Sequence, residues 1–221
     1  MREILNAQQG HWQKMFSQRS EMFGTDPSVP AQAAAEWLKR EGKSELLELG
    51  SGQGRDTLFF ARNGFQVSAL DYTATAVEAI NDKAEKLGLS GSVTTTQHDI
   101  RQPLPFTDES FDACYSHMLY CMALTTVELE FLSREVWRVL RPGGLHIYTV
   151  RHTGDPDYGK GIPRGEDLYE SGGFIVHYFS REKVAHLVNG YELLAIDEFE
   201  EGKLPRKLFR VTLRKLEVPR E

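Results

Sequence analysis

Residues 46–71 read LLELGSGQGRDTLFFARNGFQVSALD. An apolar run enters Gly50-x-Gly52-x-Gly54, a stretch of helix formers follows, and a second apolar run ends in Asp71. Glycine belongs where a chain turns sharply at positive φ and where backbone must touch a ligand with no Cβ in the way. Strand, glycine turn, helix and a second strand with an acidic end together make the first βαβ unit of a nucleotide-binding sheet. The Asp71 carboxylate then sits where both hydroxyls of a ribose can donate to it. An incidental glycine-rich turn would explain the spacing, but not the two strands, the helix and the acid in succession.

Outward from this unit the same alternation continues: after FQVSAL comes a helix to Gly88, then SVTTTQ. Connections this long imply crossovers between parallel strands, and crossovers place helices on both faces of a sheet. Thr75 stands three residues before Glu78, and Thr125 three before Glu128, both fitting capping boxes that open helices. The second of these helices places Leu129, Leu132, Val136, Val139 and Leu140 on one stripe. Arg141 to Gly144 then stops it before the strand LHIYTV. Near the C-terminus, YELLAIDEF and KLFRVTLRK are separated by EEGKLPR, too short for a crossover helix, so an antiparallel hairpin is expected. Phe209, Val211 and Leu213 alternate there with Arg210, Thr212 and Arg214. Residues 1–43 read as two helices, the second being AQAAAEWLKREG, ended at Gly42. Between Arg151 and Gly173 six glycines and two prolines dissolve the pattern. A long surface loop is expected there, of the kind that is more often functional than accidental.

The expected architecture is a doubly wound, mostly parallel α/β sheet closed by a C-terminal antiparallel hairpin. One domain spans 1–221: a helical lid (1–43), a ligand-binding core (44–151), and a substrate loop with the hairpin (152–221). The 221 residues, 40% hydrophobic and 26% charged, suit one sizeable core. A formal charge of −6 lacks the positive excess that phosphate backbones attract, so nucleic acid is not an expected partner. No apolar run approaches bilayer length, and MREILNAQQGHWQKMF does not resemble a cleaved leader. With Cys114 and Cys121 as the sole cysteines, a soluble, cytoplasmic protein is expected. The histidines show no metal-ligand spacing, and no metal is expected.

The ligand follows from details. A dinucleotide fingerprint has its third glycine where this chain has Arg55. The first strand also ends in Glu48, whose carboxylate would repel a pyrophosphate but suits a cationic ligand bearing an amine and a sulfonium. The segment resembles the first motif of class I S-adenosylmethionine (SAM)-dependent methyltransferases, an acidic residue followed by G-x-G-x-G. The resemblance extends over residues 44–151 through QHDI, PLPFTDESFDACYSHMLYCM and LRPGG, and implies a Rossmann-like fold with SAM as cofactor. It implies that Gly50, Ser51, Gly52 and Gly54 wrap the methionine and ribose part, that Asp71 and Tyr72 hold the ribose, and that Asp99 holds the adenine beside the Ile100 N–H. Ser116 and His117 would line the methionine tail. Ser51 stands where cysteine is frequent in the family, and His98 precedes the adenine acid. MFGTDPSVP, the G-Q-G-R-D loop and GGFIVHYFSREKV further resemble the tellurite-resistance and thiopurine branch, implying a small acceptor with a heteroatom lone pair.

Methyl transfer from a sulfonium needs mainly orientation and exclusion of water, and a base only where the acceptor carries a proton. The base candidates are His117 and Tyr120, just past the fourth strand, and His152 and His177, which flank the Gly-rich loop. Trp12, Phe16 and Phe23 could form an aromatic lid, while Trp37 and Trp137 read as packing. Arg19 and Arg151 could steer an anionic substrate, or be surface charge. Two other readings compete. A nicotinamide-dependent oxidoreductase is disfavoured by Arg55 and Glu48, and a non-catalytic SAM-binding module by the aromatic segments.

Overall fold

The computed structural model describes residues 2–202 and 206–216. Three helices open the chain, α1 (Arg2–Asn6), α2 (Gln8–Gln18) and α3 (Val29–Arg40). The alternation follows as β1 (Glu45–Leu49), α4 (Arg55–Arg62), β2 (Gln66–Asp71), α5 (Ala74–Lys86), β3 (Val93–Gln97), β4 (Phe111–His117), α6 (Thr126–Val139) and β5 (Leu140–Arg151). Then come β6 (Ile162–Gly165), β7 (Leu168–Ser171), β8 (Phe174–His177), α7 (Arg181–His186), β9 (Tyr191–Glu201) and β10 (Arg206–Lys215).

Seven strands form one sheet in the order β3-β2-β1-β4-β5-β10-β9. The first five are parallel, and β10 runs antiparallel to both β5 and β9. Doubly wound sheet and closing hairpin are as expected; residues 203–205 of its EEGKLPR connection lie outside the described residues. The winding moves outward from β1 to β3, then returns to place β4 on the other side of β1. A crevice opens where the direction reverses, at the carboxyl ends of β1 and β4.

Alternation along the strands supplies two cores. Leu46, Ala113 and Tyr115 face α3, α4 and α5, packing with Ala34, Leu38, Phe60 and Ile80. Leu47, Leu49 and Cys114 face α6 and α7, packing with Leu129, Leu132, Val136 and Val184. Burial on both faces is what a central parallel strand requires, and β4 is buried at five of its seven residues. No helix among the described residues is long and apolar enough to cross a membrane.

Three expectations are corrected. Residues 1–43 hold three helices rather than two. The helix after β2 starts earlier, with Thr73 as its N-cap, and Thr75 lies inside it with its buried hydroxyl unpartnered. The Thr73 hydroxyl itself donates to Asp71 Oδ1 at 2.8 Å and so caps nothing. The capping box at Thr125 and Glu128 forms as expected. Finally, the glycine-rich stretch after Arg151 is an ordered meander, β6-β7-β8. Its two hairpins turn on Glu166-Asp167 and Gly172-Gly173, all four at positive φ, the conformation that matches strand twist in two-residue turns. Leu168 and Ile175 of the meander pack on Leu5 of α1, and Gln8 bonds the Gly173 carbonyl and the Ile175 N–H. The N-terminal helices are thereby docked over the crevice.

Candidate active site

A cavity of about 610 Å³ fills the crevice, floored by the carboxyl ends of the parallel strands and roofed by α2 and the meander. The glycine loop forms one wall. Gly50 has φ 68°, and a Cβ there would lie 3.0 Å from Leu119. Gly54, at φ 84°, would put a Cβ 2.7 Å from Ile80. Gly50, Ser51 and Gly52 line the cavity, whereas Gly54 does not. Gly54 instead lets α4 and α5 approach, the task the third glycine performs in dinucleotide folds.

Three acids stand around this loop. Asp71, 6% exposed, accepts from the Gly52 N–H at 2.9 Å through Oδ2, and from the Thr73 N–H at 2.9 Å through Oδ1. Burial, opposed by these bonds, leaves its carboxyl above the usual value. Asp56, also on the cavity wall, accepts from the Ser28 N–H and hydroxyl, tying the segment before α3 to the start of α4. Glu48 accepts from the Thr57 hydroxyl at 2.5 Å. Burial, then the neighbouring Asp56 charge, pushes its carboxyl up to about 8. A buried carboxylate held that high is short of a positive partner. With the Cβ-free wall beside it, the donor set fits SAM, which brings an ammonium and a sulfonium.

Tyr72, Asp99 and Ile100 line the far end. Both Asp99 oxygens accept from the Arg101 guanidinium, at 2.6 to 3.1 Å, and Arg101 also donates to Asn6 of α1. Burial raises the Asp99 carboxyl, but the Arg101 bonds outweigh it and hold it below the ordinary value. Arg101 was not anticipated from the sequence.

One further wall is aromatic. Trp12 lies 5.4 Å from Phe16, 6.3 Å from Phe23 and 4.9 Å from Phe174 of the meander, ring to ring. Trp37 and Trp137 pack on the cores as expected. Arg151 lies at the cavity, ion-paired to Asp155 and Asp157, so its charge is compensated.

Of the four base candidates, the cavity receives His117 alone. Met118 follows it at φ 65°, a strained conformation for a side chain this large. The turn this makes sends Tyr120 back into the core, fully buried and stacked on Tyr148 at 4.6 Å. His152 lies flat on Phe209 at 4.4 Å, with Nδ1 accepting from the Gly154 N–H. His177 is fully buried: Nδ1 donates to the Leu124 carbonyl, and Nε2 accepts from Lys183 at 2.5 Å. Burial and the Lys183 charge push it down to about 4, a neutral packing histidine. Ser116 is also buried behind the wall, its hydroxyl unpartnered.

Gln53, unremarked as a sequence position, clasps the lid. Its Oε1 accepts from the Met22 N–H at 2.9 Å, and its Nε2 donates to the Phe16 and Arg19 carbonyls at 3.3 and 2.6 Å. At roughly 0.5–1.5 kcal/mol each, three such bonds hold the lid by more than a factor of ten. Gln53→Ala should therefore speed amide exchange across residues 16–23 at least about tenfold in exchange mass spectrometry. An unchanged profile would show that the aromatic contacts alone hold the lid.

Sheet order, glycine loop and acid placement define a Rossmann-like nucleotide site at its topological switch point. Residues 46–144 match the family profile described as "Methyltransferase domain", and the fold is of the Rossmann-like methyltransferase type. A demethylmenaquinone methyltransferase of Tropheryma whipplei is 29% identical over 113 residues, 51% of this chain and 44% of that protein. The chain thus spans less than half the length of that curated relative. Among solved structures, a SAM-dependent methyltransferase from Methanosarcina mazei superposes with a TM-score of 0.69 at 22% identity, over 79% of this chain and 93% of that one. The 1,6-didemethyltoxoflavin-N1-methyltransferase of Burkholderia thailandensis, with bound 1,6-didemethyltoxoflavin and S-adenosylhomocysteine, gives 0.68 at 18%, over 86% and 79%. At such identities these two structures share the fold.

Proposed function

We propose that this protein transfers a methyl group from SAM to a heteroatom of a small molecule. The carrying observation is a single cavity that joins the acid-and-glycine wall to an aromatic box. One half suits a cationic nucleoside and the other a planar acceptor, with His117 also on the wall. The nitrogen acceptor named for the Burkholderia thailandensis structure supports a heteroatom.

Bound SAM supplies an electrophilic methyl on a good leaving group. The chain's own residues do the rest: Glu48 offers its carboxylate to the ammonium, Asp71 and Tyr72 hold the ribose, and Asp99 and Ile100 take the adenine edge. Gly50, Ser51 and Gly52 let backbone approach the ligand, and the aromatic roof excludes water. Residues 1–43 then act as lid, 44–151 as cofactor core, and the remainder as acceptor wall within one domain. The charge of −6 argues against a nucleic-acid acceptor. Both cysteines are free and buried, which supports a reducing, cytoplasmic setting.

The test pairs calorimetry with an activity screen. S-adenosylhomocysteine should bind and NAD should not. Labelled SAM should pass its methyl to one of a panel of thiols, amines, phenols and oxyanions. Tight NAD binding without the SAM product overturns the cofactor, and label appearing on carbon overturns the heteroatom.

A further inference from the structure

The hairpin outside the matched segment delivers a carboxylate to the cavity. Glu201, the last residue of β9, places Oε2 3.1 Å from His117 Nε2, with its side chain 26% exposed. On the other side of the ring, Nδ1 lies 2.9 Å from the Thr149 hydroxyl. That hydroxyl already accepts from the Met118 N–H at 2.9 Å, and Thr149 is fully buried. An ionised carboxylate can only accept, so His117 Nε2 carries a proton and donates it to Glu201, while Nδ1 is engaged with the Thr149 hydroxyl. Both ring nitrogens are thus engaged, and no ring lone pair is left for a substrate proton. The Glu201 carboxylate keeps free lone pairs facing the cavity.

We infer that Glu201 is the base of the site, that His117 is its positioning residue, and that the acceptor is a planar ring bearing an acidic hydroxyl, a phenol or enol. This rests on the methyl-transfer reading above. Arg55 ties the two halves of the argument together: it donates to the Phe23 carbonyl at 3.3 Å and lies 3.9 Å from Glu201 Oε1, so the carboxylate stands beside the aromatic box. Burial raises the Glu201 carboxyl, but the His117 bond and the Arg55 and Arg206 charges outweigh it and hold it below the ordinary value. So weak a base matches a phenol, near 10, better than a far less acidic aliphatic alcohol. An ammonium it would hold as an ion pair, with no lone pair free to attack. In the transfer the acceptor O–H bond breaks and its proton passes to a Glu201 oxygen. The acceptor oxygen bonds the methyl carbon, and the methyl–sulfur bonding pair leaves with sulfur. The neutral Glu201 acid then returns its proton to water through its exposed edge.

The test uses Glu201→Gln, which keeps shape and polarity, with Glu201→Asp as a second variant. With an unactivated phenol, kcat should fall on the order of 100- to 1000-fold in Glu201→Gln and partly recover in Glu201→Asp. With a nitrophenol already ionised at the assay pH, kcat should stay within about threefold. S-adenosylhomocysteine affinity, by calorimetry, should be unchanged in all three proteins. Independently of turnover, ring ¹⁵N shifts of wild-type His117 should show the proton on Nε2. Equal loss on both phenols, or the proton on Nδ1, overturns the assignment. If the wild type methylates thiols or amines but neither phenol, this inference fails while the methyltransferase reading stands; if it methylates nothing, both fail.

Discussion

Asp71→Ala should weaken S-adenosylhomocysteine binding at least about tenfold and lower the melting temperature of the same sample. The two effects have separable origins. In the folded protein Asp71 holds the glycine loop through the Gly52 N–H and the following turn through both Thr73 donors. Hydrogen bonds to a buried charge are worth about 1.5–3 kcal/mol each. Losing them leaves the Gly52 N–H unpaired and frees the loop, which appears as a melting shift. The affinity loss comes from the ribose hydroxyls, whose acceptor is gone; one such bond already exceeds the 1.4 kcal/mol that equals a factor of ten. Asp71→Asn keeps one acceptor oxygen without the charge and should fall between wild type and alanine on both readouts. If Asp71→Ala melts earlier but binds as tightly as wild type, Asp71 is a loop clamp and the ribose role is wrong.

The difference between what is legible in the chain and what is not follows from range. The βαβ unit, the α6 stripe and the closing hairpin rest on short-period alternation and on caps a few residues apart, so their residues announce them. Gly172-Gly173 between LYES and FIVH carried a local hairpin signal that the surrounding glycines obscured. Glu166-Asp167 carried little, because Asp tolerates positive φ but Glu rarely adopts it, and the turn is imposed by the pairing of β6 with β7. Among the site residues, Glu48, Gly50, Ser51, Gly52, Asp71, Tyr72, Asp99, Ile100 and His117 reach the cavity because strand ends fix them. The misses are long-range. Tyr120 lies three residues from His117, yet the left-handed turn at Met118 separates them into core and cavity. Gln53 meets its partners more than 30 residues away, and Glu201 meets His117 through the hairpin at the far edge of the sheet. No spacing rule reaches such pairs.

The last prediction concerns Glu48, whose carboxyl stands at about 8 against 4.5 for a free one. In the ligand-free protein it is mostly protonated at neutral pH, so pairing with the ligand's ammonium requires it to ionise. S-adenosylhomocysteine binding near pH 7 should then release about 0.9 proton, seen as a dependence of the binding heat on the buffer's ionisation enthalpy. Affinity should rise with pH, by about thirtyfold from 5.5 to 7. That window keeps the α-amino group protonated, since its own value is about 7.7–8.0. The sign for stability is the reverse. A carboxyl raised by folding favours the folded chain below about 4.5, and that contribution is lost as pH climbs toward 8. His177 and His146, pushed down to about 4 and about 3 by burial, oppose it below 6.5, because there the unfolded chain takes up protons the folded one refuses. Melting curves therefore mix these groups with the other shifted ones, Asp71, Asp99 and Glu201 among them, whereas the binding heat reports only the groups that meet the ligand, and its comparison with Glu48→Gln singles out Glu48. Glu48→Gln, neutral at every pH, should bind more weakly at pH 7 with a flat profile and no proton release. Buffer-independent heats in the wild type would place the ammonium elsewhere in the cavity.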